Sequence, residues 1–140
     1  MEDYLYGIGT LFAEDRLFQM TMRGYVVQGR MAEFLGEKAL DFDRFMRELN
    51  LKKWAEKRTA RFKAENISEY NVFMAFINGI NDRVAAMRVL PMEFYITGMK
   101  WENYTMNHFY YYAIQFDWGN SWNANDEATR SSLLAHYTKE

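Results

Sequence analysis

A chain of 140 residues with 49% apolar and 26% charged side chains fits one domain of ordinary size, able to bury roughly two-thirds of its unfolded surface. That composition excludes disordered, collagen-like and low-complexity classes. Seventeen basic against nineteen acidic residues give a net charge of −2, and cysteine is absent, which excludes a whole-surface attraction for nucleic acid, a disulfide framework and a thiolate metal cage.

Met1, Glu2 and Asp3 open the sequence with acid rather than with a basic, apolar export signal, so it reads like an interior cut and the compartment stays open. From Asp3 to Gln28, apolar residues such as Leu5, Ile8, Phe12, Phe18, Met22 and Val26 recur at three- and four-residue steps, which predicts one long helix. Gly7 and Gly9 each weaken its first turns by about 1 kcal/mol relative to Ala, so a neighbour's backbone is expected to come close there. Gly29 and Gly36 bracket a short helical piece from Met31 to Leu35, and Phe42, Phe45, Met46 and Leu49 predict a helix from Glu37 to Asn50.

Residues 51–63 carry Lys52, Lys53, Lys57, Arg58, Arg61 and Lys63 with Trp54 and Phe62 among them. This basic cluster reads either as a solvated helix face or as an anion and nucleic-acid patch with interleaved aromatics. The solvated face is favoured. Ser68 is placed as the cap of a helix whose stripe of Tyr70, Phe73, Met74, Ile77, Ile80, Val84 and Met87 is the clearest in the chain. Pro91 is expected to stop it, with Pro91–Gly98 an extended linker. Asn103 or Thr105 starts a helix through Phe109, Tyr110, Tyr111 and Tyr112 to Phe116, a Gly-Asn-Ser-Trp-Asn turn follows, and Asn125 caps a last helix to Tyr137. No repeat and no boundary divides residues 1–140, so the fold class is all-α, a single irregular assembly of five to seven helices. No apolar stretch reaches the ~18 residues of a membrane span. With 18% aromatic residues and ten methionines, some apolar surface is expected to be left over for another polypeptide or a greasy ligand.

Chemistry-bearing motifs are scarce. His108 and His136 have no metal-ligand spacing, no G-x-S-x-G elbow or phosphate loop occurs, and Gly7-Ile8-Gly9 is too short for a dinucleotide fingerprint. No catalytic residue is nominated.

The segment Tyr6–Met20, YGIGTLFAEDRLFQM, resembles the start of the α chain of the penicillin acylase (penicillin amidase) family. The resemblance continues in register through Arg23–Gly36, the Asp43, Arg44, Met46, Arg47 element, Ile77–Asp82, Leu90–Phe94, Trp101-Glu102, Gly119–Trp122 and Glu127–Leu134. It implies an N-terminal-nucleophile hydrolase, in which the freed N-terminal serine of a separate β chain attacks an N-acyl amide and uses its own α-amino group as base. No matching serine segment occurs here, so the isolated chain is expected to be inactive. It would act as the α-chain piece whose partner is the β chain of the same precursor.

The family's α chain has a strand-forming segment before its long helix, and its absence reads as a shortened chain or a gene remnant. By the same resemblance Ile114, Asp117 and Trp118 fall at substrate-pocket positions and Glu127 at a shared structural calcium, while Asp15 and Arg16, which point about 100° apart on a helix and cannot pair with each other, are read as structural, with Arg16 clamping a β-chain carboxylate at the interface. Export is common among relatives. Helices lacking their β chain are expected to self-associate into a homo-oligomer, and neither nucleic acid nor a membrane is an expected partner. The competing reading is a stand-alone helical module that binds an acidic partner or nucleic acid through residues 52–63.

Overall fold

The computed structural model describes residues 1–121 and 123–137, and those residues form helices with no strand among them. Six helices of ten residues or more, α1 (Glu2–Gln28), α3 (Leu40–Leu49), α4 (Leu51–Glu65), α5 (Ile67–Ala85), α7 (Met106–Asn120) and α8 (Ala124–Tyr137), are joined by the short α2 (Ala32–Leu35) and α6 (Met92–Thr97) and a 3-10 turn at Gly36–Ala39. Among the described residues no helix is long and apolar enough to cross a membrane.

Helix α1 begins with Glu2 and Asp3, whose charges complement the positive end of its dipole. It ends where Gly29 takes φ 61° and ψ 52°. Gly29 N–H then returns to Val26 and Arg30 N–H to Tyr25, which satisfies the last carbonyls. A left-handed Asn50, φ 55°, makes the one-residue joint between α3 and α4.

The molecule is organised by the crossing of α1 and α5. A Cβ on Gly9 would run into the carbonyl of Phe76, and one on Gly79 into the carbonyl of Tyr6, so each glycine seats the other helix's main chain. Around that crossing Ala13, Leu17, Ile77 and Ile80 are each at most 1% exposed. Tyr25, Phe94, Met99 and Tyr104 extend the same cluster, and Val27, Ala55 and Tyr111 form a second one that joins α1, α4 and α7. Phe62 links three helices, with its ring 6.0 Å from Tyr70, 5.9 Å from Phe73 and 6.4 Å from Tyr110.

Several local expectations are corrected. Nothing lies within 4 Å of a Cβ on Gly7, so the close approach belongs to Gly9 alone. The helix expected from Glu37 starts with a 3-10 turn and becomes α-helical at Leu40. Asn66, not Ser68, precedes α5, because the backbone turns extended there at φ −139°. Pro91 starts a helix instead of an extended linker. At ψ 144° it stands just ahead of Met92, needs no N–H of its own, and accepts the N–H of Phe94. Phe94 is then buried edge-on against Phe18, 5.6 Å away. Helix α7 runs through Gly119 to Asn120, four residues past Phe116, and the Asn120 and Ser121 side chains donate to the carbonyls of Phe116 and Asp117. Asn125 falls inside the first turn of α8, where the carbonyl of Asn123 accepts the N–H of Glu127. Trp122, the last residue of the Gly119–Trp122 segment, lies outside the described residues.

Candidate functional site

Where α1, α5 and α7 converge, Leu5, Ile8, Phe12, Met20, Phe73, Phe76, Tyr104, Phe109 and Tyr112 enclose an almost wholly apolar cavity of about 270 Å³, open on one side. Its walls are stiffened by edge-to-face rings, Phe12 on Phe76 at 5.5 Å and Phe76 on Phe109 at 6.4 Å. Phe12, Met20 and Tyr112 also border a wider groove with Leu11, Asp15, Arg16 and Gln19. Burial pushes the Tyr104 phenol well above its ordinary pKa, so it stays neutral.

The polar residues around this framework fix backbone. Asn81 donates Nδ2–H to the carbonyl of Tyr104 at 2.9 Å and accepts the N–H of Tyr104 on Oδ1 at 2.8 Å, a reciprocal clamp that holds the cavity's Tyr104 against α5. Asp43, buried, accepts the N–H groups of Met31 and Ala32 at 2.9 and 2.7 Å and so supplies the acceptor at the start of α2. Arg47 donates to the Gly29 carbonyl, and Met46 is fully buried. These are the residues of the sequence landmarks, and each has a structural task.

Sequence reading missed the strongest charge cluster. The Arg30 guanidinium forks onto Glu33 at 2.6 and 3.0 Å and onto Glu102 at 2.9 and 3.3 Å, and lies 4.4 Å over the Tyr25 ring. Hydrogen bonding to Arg30 holds both carboxyls below the usual carboxylate range. Tyr25 completes the cluster by donating to the Lys100 carbonyl and to Glu102. A signal was present, since Arg30 follows the helix-ending Gly29 and Glu102 follows Trp101, but the 72-residue separation concealed the pair.

None of the three expected pocket residues lines the cavity. Ile114 packs on the cluster of Val27, Ala55 and Tyr111, the Trp118 ring sits 6.1 Å from that of Phe45, and Asp117 is exposed. All three belong to the C-terminal half of α7. Asp15 and Arg16 are exposed on α1 at the groove, where Arg16 donates to Gln19 at 3.3 Å. Glu127 is exposed and accepts from Asn123 Nδ2 at 2.7 Å. Among the described residues no three His, Asp or Glu side chains gather as a metal site.

On α4, much of the basic cluster is locally engaged. Lys52 meets Glu56, Arg61 meets Glu65, and Lys57 and Lys63 lie against Trp54 and Tyr70. Phe62 faces other aromatics rather than solvent. The helix reads as a solvated face.

An acyl-homoserine lactone acylase, QuiP, of Pseudomonas aeruginosa is 34% identical over 99 residues, 70% of this chain and 11% of that protein. The penicillin acylase 2 proenzyme of a Pseudomonas strain is 31% identical over 103 residues, 71% of this chain and 13% of the relative. Penicillin G acylase of Escherichia coli is 30% identical over 105 residues, 69% and 12%. The chain therefore spans about a tenth of the length of these curated relatives. The family model described as penicillin amidase matches residues 1–140 from end to end, and with that match the chain belongs to the penicillin amidase family.

Proposed function

We propose that this chain is the helical, non-nucleophile part of an amide hydrolase that cleaves N-acyl compounds when joined to a β chain carrying an N-terminal serine. The observation that carries this reading is apolar surface left uncovered on the C-terminal helices. Phe116 of α7 is 56% exposed, and on α8 Leu133 is 52% and Tyr137 75% exposed. Leu133 and Tyr137 are one helical turn apart and share a face. A helix with such a face ordinarily buries it against another element.

In the assembled enzyme the serine hydroxyl attacks the amide carbonyl, its own amino group accepts the proton, and donors on the β chain stabilise the oxyanion. This chain contributes no group to that proton transfer. Its part is to fix the wall of the acyl site through Ile114, Asp117 and Trp118 and to dock the β chain along the groove rim at Asp15 and Arg16. Glu127 offers one of the six to eight oxygens a calcium ion needs, with the others coming from outside this chain. The substrate class is N-acyl amides, which is the chemistry common to a homoserine-lactone acylase and a penicillin acylase. Without its partner the chain self-associates through the same uncovered side chains.

The test is co-expression with the β-chain reading frame from the same locus and an amidase assay over a panel of acyl amides. Activity in the pair and none in the chain alone is the expected result. Turnover by the purified chain, or an inactive but well-assembled pair, would overturn the reading. In the active pair, Trp118→Ala should change acyl-chain preference, and an unchanged preference would remove Trp118 from the pocket. A strictly monomeric mass across a wide concentration range would count against self-association.

A further inference from the structure

We propose that His108 is a positioning residue that acts as an acid-sensitive clasp on the N-terminus of α7, closed when its imidazole is neutral and released when it is protonated. Thr105 stands in extended backbone just before Met106, and its side chain accepts the backbone N–H of His108. In return, His108 Nδ1 accepts the backbone N–H of Thr105 at 3.2 Å and lies 2.8 Å from Thr105 Oγ1. A ring nitrogen that accepts a backbone N–H carries no proton, so the neutral ring holds its hydrogen on Nε2.

In the usual box of this kind the third helical residue is Glu or Gln, which remains an acceptor at neutral and mildly acid pH. An imidazole does not. Protonation puts a hydrogen on Nδ1, turns it toward Thr105 Oγ1 as a donor, and leaves the Thr105 N–H facing another donor. It also sets a positive charge at the positive end of the α7 dipole.

The surroundings hold the ring in its neutral form. From α1, Gly24 leaves just enough room for the ring, since a Cβ there would lie 3.4 Å from His108 Cδ2. Tyr104, ahead of α7, lies 5.2 Å from the ring, and Tyr111, one turn on, lies 5.4 Å from it. The titratable groups facing it are Tyr25, Arg30, Glu102, Tyr104 and Tyr111. The three phenols are raised and stay uncharged across the acid and neutral range, with Tyr111 pushed up to about 12. Glu102 favours the imidazolium and Arg30 opposes it, but burial dominates and holds His108 below its ordinary 6.5. Two turns on from Thr105 of the clasp, α7 carries Tyr112, which lines the cavity. A consequence for acyl selection rests on the function proposed above, while the clasp itself is tested in this chain alone.

The experiment follows both histidine ring signals by NMR from about pH 8 to about pH 4, with exposed His136 as the internal comparison, and in parallel measures amide exchange at Thr105 corrected for its intrinsic rate. The expected result is a neutral ring protonated on Nε2, a His108 midpoint below 6.5, and about a tenfold loss of Thr105 protection that tracks that midpoint. His108→Gln, which keeps an acceptor at the same place, should hold Thr105 protection flat over the same range. A His108 titration with no accompanying change at Thr105, or an unchanged pH response in His108→Gln, overturns the clasp. Should that variant fail to fold, the coincidence or divergence of the two wild-type midpoints still decides.

Discussion

One methyl group at Gly9 tests the crossing on which the whole assembly depends. The obstacle to a Cβ there is the Phe76 carbonyl, which belongs to the main chain of a helix and cannot swing away as the tip of a side chain would. Replacing Gly by Ala in a helix interior contributes about 1 kcal/mol of intrinsic helicity. Against this, overpacking costs about 1–3 kcal/mol, and a gap of half to one ångström between α1 and α5 forfeits about a quarter to a half of each dispersion contact it opens. The contacts at risk are those of Leu17, Ile77 and Ile80, which are buried around the same crossing. Gly9→Ala is therefore expected to destabilise by about 2 kcal/mol. Gly7 provides the control within the same helix, because a Cβ there meets nothing within 4 Å, and Gly7→Ala should stabilise by up to about 1 kcal/mol. Urea unfolding followed by far-ultraviolet circular dichroism measures both, read as opposite midpoint shifts at an unchanged slope. If Gly9→Ala moved the midpoint upward as Gly7→Ala does, backbone contact at the crossing would not be what sets the α1–α5 separation.

Arg30→Lys keeps the charge but loses the fork onto Glu33 and Glu102. Both carboxylates are nearly half exposed, so thermal unfolding should register a loss of only about 1–2 kcal/mol, smaller still in high salt. Asn81→Ala removes both arms of the clamp on Tyr104 and leaves a part-buried N–H and carbonyl unpaired. Denaturant unfolding should show a cost of about 2–4 kcal/mol, and hydrogen exchange should rise first at Tyr104. Stability should fall with acid in two stages. His108, depressed from 6.5 in the fold, contributes stability that is present above that value and is lost as pH falls through its lower folded pKa. Glu33 and Glu102, depressed from 4.5, contribute stability that is lost as pH falls below that value through theirs. Unfolding free energy measured against pH should lose its first stage in His108→Gln and keep its second.

Periodicity disclosed α1, α5 and most of α7 because their apolar stripes are set by contacts three and four residues away, which a sequence displays directly. It failed at Pro91, Asn66 and Asn123 because capping depends on which backbone groups remain unpaired, and that is settled by where the neighbouring helix ends. Gly9 was readable as a close approach, but Gly7 looked identical until α5 was in place on one side only. The Arg30–Glu102 fork joins elements 72 residues apart and leaves no local pattern. Of the candidate site, the aromatic content of α7 was evident in sequence. The cavity was not, because it is assembled from Leu5, Phe73 and Tyr104 on three separate stretches of chain.

Several landmarks that carry the family likeness lie away from the C-terminal half of α7, where the proposed function puts substrate selection. Gly79, Asn81, Asp43, Arg47 and Glu102 hold helices in register, and their partners are main-chain groups or one another's neighbours within this chain. Such residues can be recognised in a sequence whatever the enzyme acts on, because the geometry they fix does not depend on the acyl group. Asp117, by contrast, is exposed, and under the function proposed above it would meet the partner chain rather than a group of its own chain. Under the function proposed above, a change in substrate would leave the crossing of α1 and α5 untouched and alter side chains on the exposed C-terminal half of α7 and on the partner that covers it.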